Sequence, residues 1–218
     1  MKSFNPIYKG YFRLGDTAYR EKVRFFEEHP DDIIYLDFDY RIELEMDYLL
    51  CLFEIGRYER YLRFVDKVIE EVIAENIFTY RDENIFEELL FRKAASLYQL
   101  RKYTDSKTLM KQLINIDKSN PLYVGLYAMC NRKIHDDMIV TVRATAMAAF
   151  LIVLGITIAR IFLDPFLDAY MSPFILLRTI LLAYIALSLL GLEFLFQYKL
   201  RKETGMYSSH LLKKIFGK

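Results

Sequence analysis

Four ionisable side chains interrupt runs that are otherwise hydrocarbon: Arg143, Arg160, Arg178 and Glu193. Charge in such surroundings marks an ion or proton path by default, because burying it in hydrocarbon is expensive. A transport path wants charges near the middle of the membrane. These four all lie within a few residues of the end of a run, where long side chains reach the headgroups. The spacing therefore predicts structural roles. Folding the two runs about Ala169 puts Arg143 and Glu193 at one depth as an intramembrane pair. It puts Arg160 and Arg178 together near the other surface, within reach of headgroups or of Asp164 and Asp168.

Other chemistry is sparse. His29, His135 and His210 lie in three different parts of the chain. His135 to Asp137 reads HDD, a set that can bind a metal but that suits a solvated helix end better. Cys51 and Cys130 sit in apolar surroundings without metal-ligand spacing and read as buried free thiols. There is no phosphate loop, no HExxH, no CxxC and no nucleophile elbow. The expectation is a non-enzymatic protein with no catalytic, cofactor-binding or metal-binding residues.

The elements that position these charges are two long apolar runs. Residues 139–163 read IVTVRATAMAAFLIVLGITIARIFL, and residues 174–197 read FILLRTILLAYIALSLLGLEFLFQ. Each is long enough for a helix to cross about 30 Å of hydrocarbon. The connector, 164–173, is short and closes an antiparallel transmembrane hairpin. Small residues form a stripe at Ala144, Ala148, Gly155 and Ala159, and a weaker one at Thr179, Ala183 and Ala186. Such stripes let helices approach closely and are expected to face each other within the hairpin.

Charge is segregated. Residues 1–138 carry 21 Lys+Arg and 25 Asp+Glu, whereas the tail, 198–218, carries six cations against Glu203 alone. Nine cations flank the outer ends of the hairpin, and Arg160 and Arg178 lie toward the connector. By the positive-inside rule both termini are expected to face the cytoplasm, and the membrane spanned is the inner one if the source is bacterial. Within the tail, Leu211, Leu212, Ile215 and Phe216 can line one side of a short helix lying on anionic headgroups; a disordered basic tail is the alternative. The acidic body argues against nucleic acid as a partner.

The body, residues 1–135, reads as helices in a degenerate array. YFRLGDTAYREKVRFF from Tyr11, LFEIGRYERYLRFVDKVI from Leu52 and LYQLRKYTDSKTLMKQLI from Leu97 look alike, at offsets of 41 and 45 residues. Each places a break at Gly15, Gly56 or Arg101. This frame resembles the tetratricopeptide repeat (TPR) family. Gly56, Tyr58, Val65 and Val68, and Arg101, Tyr103, Ser106, Met110 and Leu113, occupy that family's turn and second-helix positions, and IDKSNP resembles its terminal turn. The chain departs from the pattern in its longer period, in Tyr61 where a small residue is usual, and in Glu45 and Lys93 at core sites. The resemblance implies an all-α fold, a TPR-like helix-turn-helix array followed by the transmembrane helical hairpin; a non-repeat bundle is the alternative. The helix opening at Asn120–Pro121 is expected to cover the open end of the array.

One stretch contradicts helix at first sight. From Leu36 to Asp47 apolar and charged residues alternate, the period of a strand. In the repeat frame this segment is a first helix touched on two sides, with charges four apart at Asp39, Glu43 and Asp47 and Asp37 pairing with Arg41. Extended structure at 33–38 is the alternative. The same frame implies a partner-binding groove of Met46, Leu50, Phe53, Phe91, Ala95 and Tyr98. It would take an unknown protein or peptide partner as an amphipathic helix or an apolar segment with basic flanks, or be filled by the protein's own last helix. The functional expectation is a membrane-anchored protein-interaction scaffold with its domain in the cytoplasm; the alternative is a structural subunit of a membrane complex.

Overall fold

In this computed structural model residues 5–77, 79–80, 83–118, 120–167 and 172–205 are described. The chain divides into two units, 1–117 and 118–218.

The first unit holds α1 (Pro6–Phe12), α2 (Tyr19–Glu28), α3 (Pro30–Ile34), α4 (Phe38–Glu54), α5 (Tyr58–Ala74), α6 (Ile85–Gln99) and α7 (Tyr103–Ile116). Between α5 and α6, two-residue strands β1 (Thr79–Tyr80) and β2 (Glu83–Asn84) pair antiparallel. The three aligned breaks each carry a left-handed residue, and the second and third add a return bond. Gly15, Gly56 and Arg101 have φ of +78°, +76° and +62°. Past Gly56, the Arg57 N–H reaches back to the Leu52 carbonyl at 2.9 Å; past Arg101, the Lys102 N–H reaches the Leu97 carbonyl at 2.9 Å. A left-handed residue with this long return bond stops a helix and redirects the chain. Consecutive helices α4, α5, α6 and α7 then pack pairwise.

Helix is what the alternating stretch forms. Residues 30–34 are helical, the chain bends, and α4 begins at Phe38. From Leu44 to Leu49 six consecutive residues are buried, because α2, α5 and α1 all pack on α4. Its acidic row is not one solvated face. Asp39 is exposed, Glu43 accepts a 2.6 Å hydrogen bond from the Tyr8 hydroxyl, and Asp47 is buried. Arg41 reaches across to Glu71 at 3.4 Å.

Glu45, Lys93 and Tyr61 each find a partner within the unit. Glu45, 3% exposed, receives Lys67 at 2.9 Å, and Lys93 meets Asp66 at 2.5 Å, so α5 supplies both partners. The buried Tyr61 donates to the Leu89 carbonyl at 3.2 Å. The Ser106 hydroxyl donates to the Ala94 carbonyl at 2.7 Å, which brings α7 close to α6. Around them Val23, Leu49, Leu52, Val65 and Val68 form the main core. Burying each such side chain stabilises the fold by about 1.5–3 kcal/mol.

The second unit holds α8 (Pro121–Ile134), α9 (Asp136–Leu167) and α10 (Ser172–Thr204). The Asn120 side chain accepts the Leu122 N–H and Pro121 opens α8, as the sequence predicts. Helix α8, which the sequence reading assigned to the body ending at 135, groups with the long helices. Polar ties explain why. The Tyr127 hydroxyl donates to the Glu203 carboxylate, Arg132 bonds Glu193, and Lys199 Nζ lies 3.3 Å from His135 Nε2.

Both long helices extend past their expected limits. Asp164 to Leu167 continue α9, and 198–204 continue α10. Residues 168–171 of the connector and the expected amphipathic tail from Met206 onward lie outside the described residues, and 172–173 open α10. Asp136–Ala159 and Leu176–Thr204 are long and apolar enough to cross a membrane, with mean hydropathy 2.2 and 2.1. They are 22% and 6% buried, unlike the core helices of a soluble domain.

The hairpin does not close on its small-residue stripes. Ala144, Ala148, Gly155 and Ala159 are exposed, as are Thr179, Ala183 and Ala186. The covered residues are Ile139, Val142, Ala146, Ala149, Val153 and Ile156 on α9, and Arg178, Leu181, Ile185, Ser188 and Leu192 on α10. Their steps of three and four match the seam of two helices packed along their length.

Candidate functional site

In the first unit α2 and α5 leave a furrow between them. Two adjoining clefts, about 990 Å³ and 470 Å³, share Glu27 and Arg57. Arg60 and Arg63 line the larger, and Arg20 and Arg24 the smaller. Arg57 caps the start of α5 and Arg60 and Arg63 follow at steps of three; on α2, positions 20 and 24 are one turn apart. Both spacings place side chains on one helix face.

One carboxylate organises the centre. Glu27 Oε1 accepts from Arg60 at 3.1 Å, Arg57 at 3.3 Å and the Tyr48 hydroxyl at 3.4 Å. Arg24 is tied to Glu28 at 2.8 Å. Arg63 is exposed and forms no ion pair among the described residues. A guanidinium carries five N–H groups, so the bonds to Glu27 leave most of those on Arg57 and Arg60 available. The larger cleft has an aromatic wall. Phe26 stacks on Tyr48 at 4.0 Å and 9°, and Phe64 meets both edge-on. Burial pushes the Tyr48 hydroxyl pKa up, so it acts as a donor to Glu27 at neutral pH. Such a site offers cationic forks beside an apolar surface. It lacks a nucleophile with a base.

Of the six side chains expected to line a groove, Met46 is buried and Leu50, Phe53, Phe91, Ala95 and Tyr98 are half-buried. Met46 is 8% exposed and belongs to the core. Phe53 packs against that core, carries Arg92 over its ring at 5.4 Å, and meets Tyr58 and Tyr61 edge-on. Tyr98 packs on Tyr103 at 5.3 Å, and Leu50, Phe91 and Ala95 are half-buried. These side chains are largely spent on the domain's own packing.

Arg143, expected to pair with Glu193, lies apart from it. Glu193 accepts from Arg132 Nη2 at 2.9 and 3.0 Å and from Gln197 at 3.0 Å. Arg143 is exposed. The reason is stagger. The Tyr184 hydroxyl touches Thr145 at 3.3 Å, so Arg143 falls about two turns short of Glu193. Folding symmetrically about Ala169 ignored that offset.

A second charged cluster is wholly internal. Lys22 Nζ meets Asp47 Oδ2 at 2.8 Å and lies 5.4 and 5.5 Å from the ring centres of Tyr11 and Phe12. Cys51 Sγ is 3.7 Å from Asp47. Burial, then the negative charge of Asp47, pushes the Cys51 thiol up to about 12. Burial and the same neighbours raise the Tyr11 hydroxyl as well. The thiol is held protonated and shielded, which makes it inert rather than nucleophilic. Lys22 and Asp47 are 25 positions apart, so no local pattern joins them.

The furrow was missed for a different reason. The body's net negative charge masked a local excess of arginine. The recurrence at 20, 24, 57, 60 and 63 was a visible signal once α2 and α5 were drawn as neighbours. Among the described residues no three His, Cys, Asp or Glu side chains gather as metal ligands. Comparison with known protein families, with characterised proteins and with solved structures finds no match for this chain.

Proposed function

We propose that this chain is a membrane-anchored protein-interaction module: a TPR-like helical domain held at the cytoplasmic face by a two-pass hairpin. The observation that carries the reading is the division of the chain. One unit is a packed set of helix-turn-helix pairs, and the other contains two apolar helices of membrane-spanning length left largely uncovered. The charge asymmetry supports both termini on the cytoplasmic side, with the basic tail against anionic headgroups. Nothing in the furrow or the buried cluster has the arrangement of a catalytic site, which favours docking over chemistry.

The second reading is a structural subunit whose hairpin makes the main contacts. The exposed small-residue stripe on α9 favours it, since such a stripe suits another membrane helix. Photo-crosslinking separates the two. A benzophenone side chain is placed in the full chain at Glu59 beside the furrow, or at Leu151 on the outward side of α9. Protein adducts from position 59 are expected. Adducts from position 151 alone would replace the adaptor reading with the subunit reading.

A further inference from the structure

We propose that the furrow between α2 and α5 is the docking site for an extended acidic protein segment with an apolar anchor residue. The proposal rests on the interaction-module reading and adds the partner's chemistry. It also reverses the charge that the repeat frame implied, where an apolar segment with basic flanks was expected.

Charge complementarity is the main argument. The two clefts are lined by Arg20, Arg24, Arg57, Arg60 and Arg63 against Glu27 and Glu59. With Glu28, which holds Arg24, also counted, that is a local excess of two positive charges on a body with a net charge of −4. Acidic partners are thus drawn to the furrow and turned away elsewhere. Arg57 to Arg63 spans six residues of helix, about 9 Å. Carboxylates two or three residues apart on an extended chain are about 7–10 Å apart. Each can meet a guanidinium fork, which binds carboxylates with paired N–H bonds.

Shape favours a protein segment over a small anion. The furrow is two joined clefts rather than one enclosed pocket. Its Phe26–Tyr48–Phe64 wall gives an apolar side chain somewhere to lie between the charges. Nucleic acid fits less well, since a continuous polyanion would also be pressed against Glu27 and Glu59. Glu27 already occupies Arg57 and Arg60 from one side. It acts as an internal competitor that weakens any incoming carboxylate and keeps the forks aligned.

The test uses the full chain in zwitterionic detergent. The probe is a fluorescent peptide in which glutamates alternate with leucine and phenylalanine; its lysine counterpart is the control. The acidic peptide is expected to bind, more weakly as salt rises, and the lysine peptide is not. Arg60→Gln with Arg63→Gln should weaken binding about tenfold or more. Arg63→Gln alone, which breaks no internal ion pair among the described residues, should weaken it severalfold with an unchanged melting curve. Glu27→Gln should tighten binding, a sign that a merely structural role for Glu27 would not produce. The inference is overturned if the acidic peptide does not bind or if these variants leave its binding unchanged. Tighter binding of oligothymidylate, phosphatidylserine vesicles or inorganic phosphate than of the peptide also overturns it. Crosslinks at Glu59 that persist in the arginine variants would leave the module reading standing and remove the furrow; no crosslinks and no peptide binding would remove both.

Discussion

Lys22 Nζ lies 2.8 Å from Asp47 Oδ2, and the two side chains are 1% and 2% exposed. The pair fastens α2 to α4 inside the first unit, with the Tyr11 and Phe12 rings of α1 beside the ammonium. Two charges have been taken out of water together, so each is tolerated only because the other is present.

Breaking that pair from one side strands the other charge. Lys22→Met or Asp47→Leu alone should destabilise the protein by about 3–5 kcal/mol, whereas the double variant should recover most of the loss. Denaturant unfolding of the three variants measures it. Additive losses would mean that the two charges are independently accommodated.

The tie between α8 and α10 makes a different claim about Glu193. Arg132→Gln and Glu193→Gln should be coupled in a double-mutant cycle by up to about 1 kcal/mol, because the pair is half exposed. Arg143→Gln should show no coupling to Glu193→Gln. Melting of the detergent-solubilised variants gives both numbers, and coupling through Arg143 instead would restore the symmetric hairpin.

Orientation can be tested with single thiols. A cysteine at Ser172 should react with an impermeant maleimide added to intact cells, and one at Ser208 should not. The native Cys51 and Cys130 are 1% and 0% exposed and should stay silent. Labelling at position 208 would invert the topology.

Glu45 provides a pH signature. Burial is the largest cause of its raised pKa, opposed by Lys67. A folded-state pKa above the unfolded value, about 4.3, means the folded protein binds more protons between the two values. Stability from this group is therefore full below the unfolded pKa and is lost as pH rises through the folded one. Glu45→Gln should be more stable than wild type at neutral pH, with the gap closing as the pH falls. A gap that widens on acidification would show that Lys67 outweighs burial.

The left-handed breaks should respond in opposite directions. Gly56→Ala forces a side chain into φ +76° and should cost about 1 kcal/mol. Arg101→Gly removes such a strain at φ +62° and should stabilise by up to about 1 kcal/mol. Thermal melts of the two variants check the signs.

How much of this was legible in the sequence depended on whether a feature is local. The breaks at Gly15, Gly56 and Arg101 were readable because turn chemistry is written in adjacent residues. The helical identity of α4 was readable through its charges, despite the alternating pattern. The Lys22–Asp47 pair and the arginine furrow were not, since each joins residues more than twenty positions apart. The hairpin seam lay between these cases. Its steps of three and four are local, but the small-residue stripe is an equally regular pattern on another face. Which face closes depends on the stagger of α9 against α10, and no single helix encodes that.

The pairing of sequence neighbours in the first unit also bears on how the chain is made. Helices α4 to α7 pack in chain order, and helical domains built on short loops fold in microseconds to milliseconds. Synthesis runs at about 5–20 residues per second, so passing from residue 117 to the start of α9 takes on the order of 1–4 s. The domain thus has time to close around Lys22 and Asp47 before its first apolar span leaves the ribosome. In the proposed two-pass arrangement, membrane insertion of the apolar helices would begin only after that domain is finished.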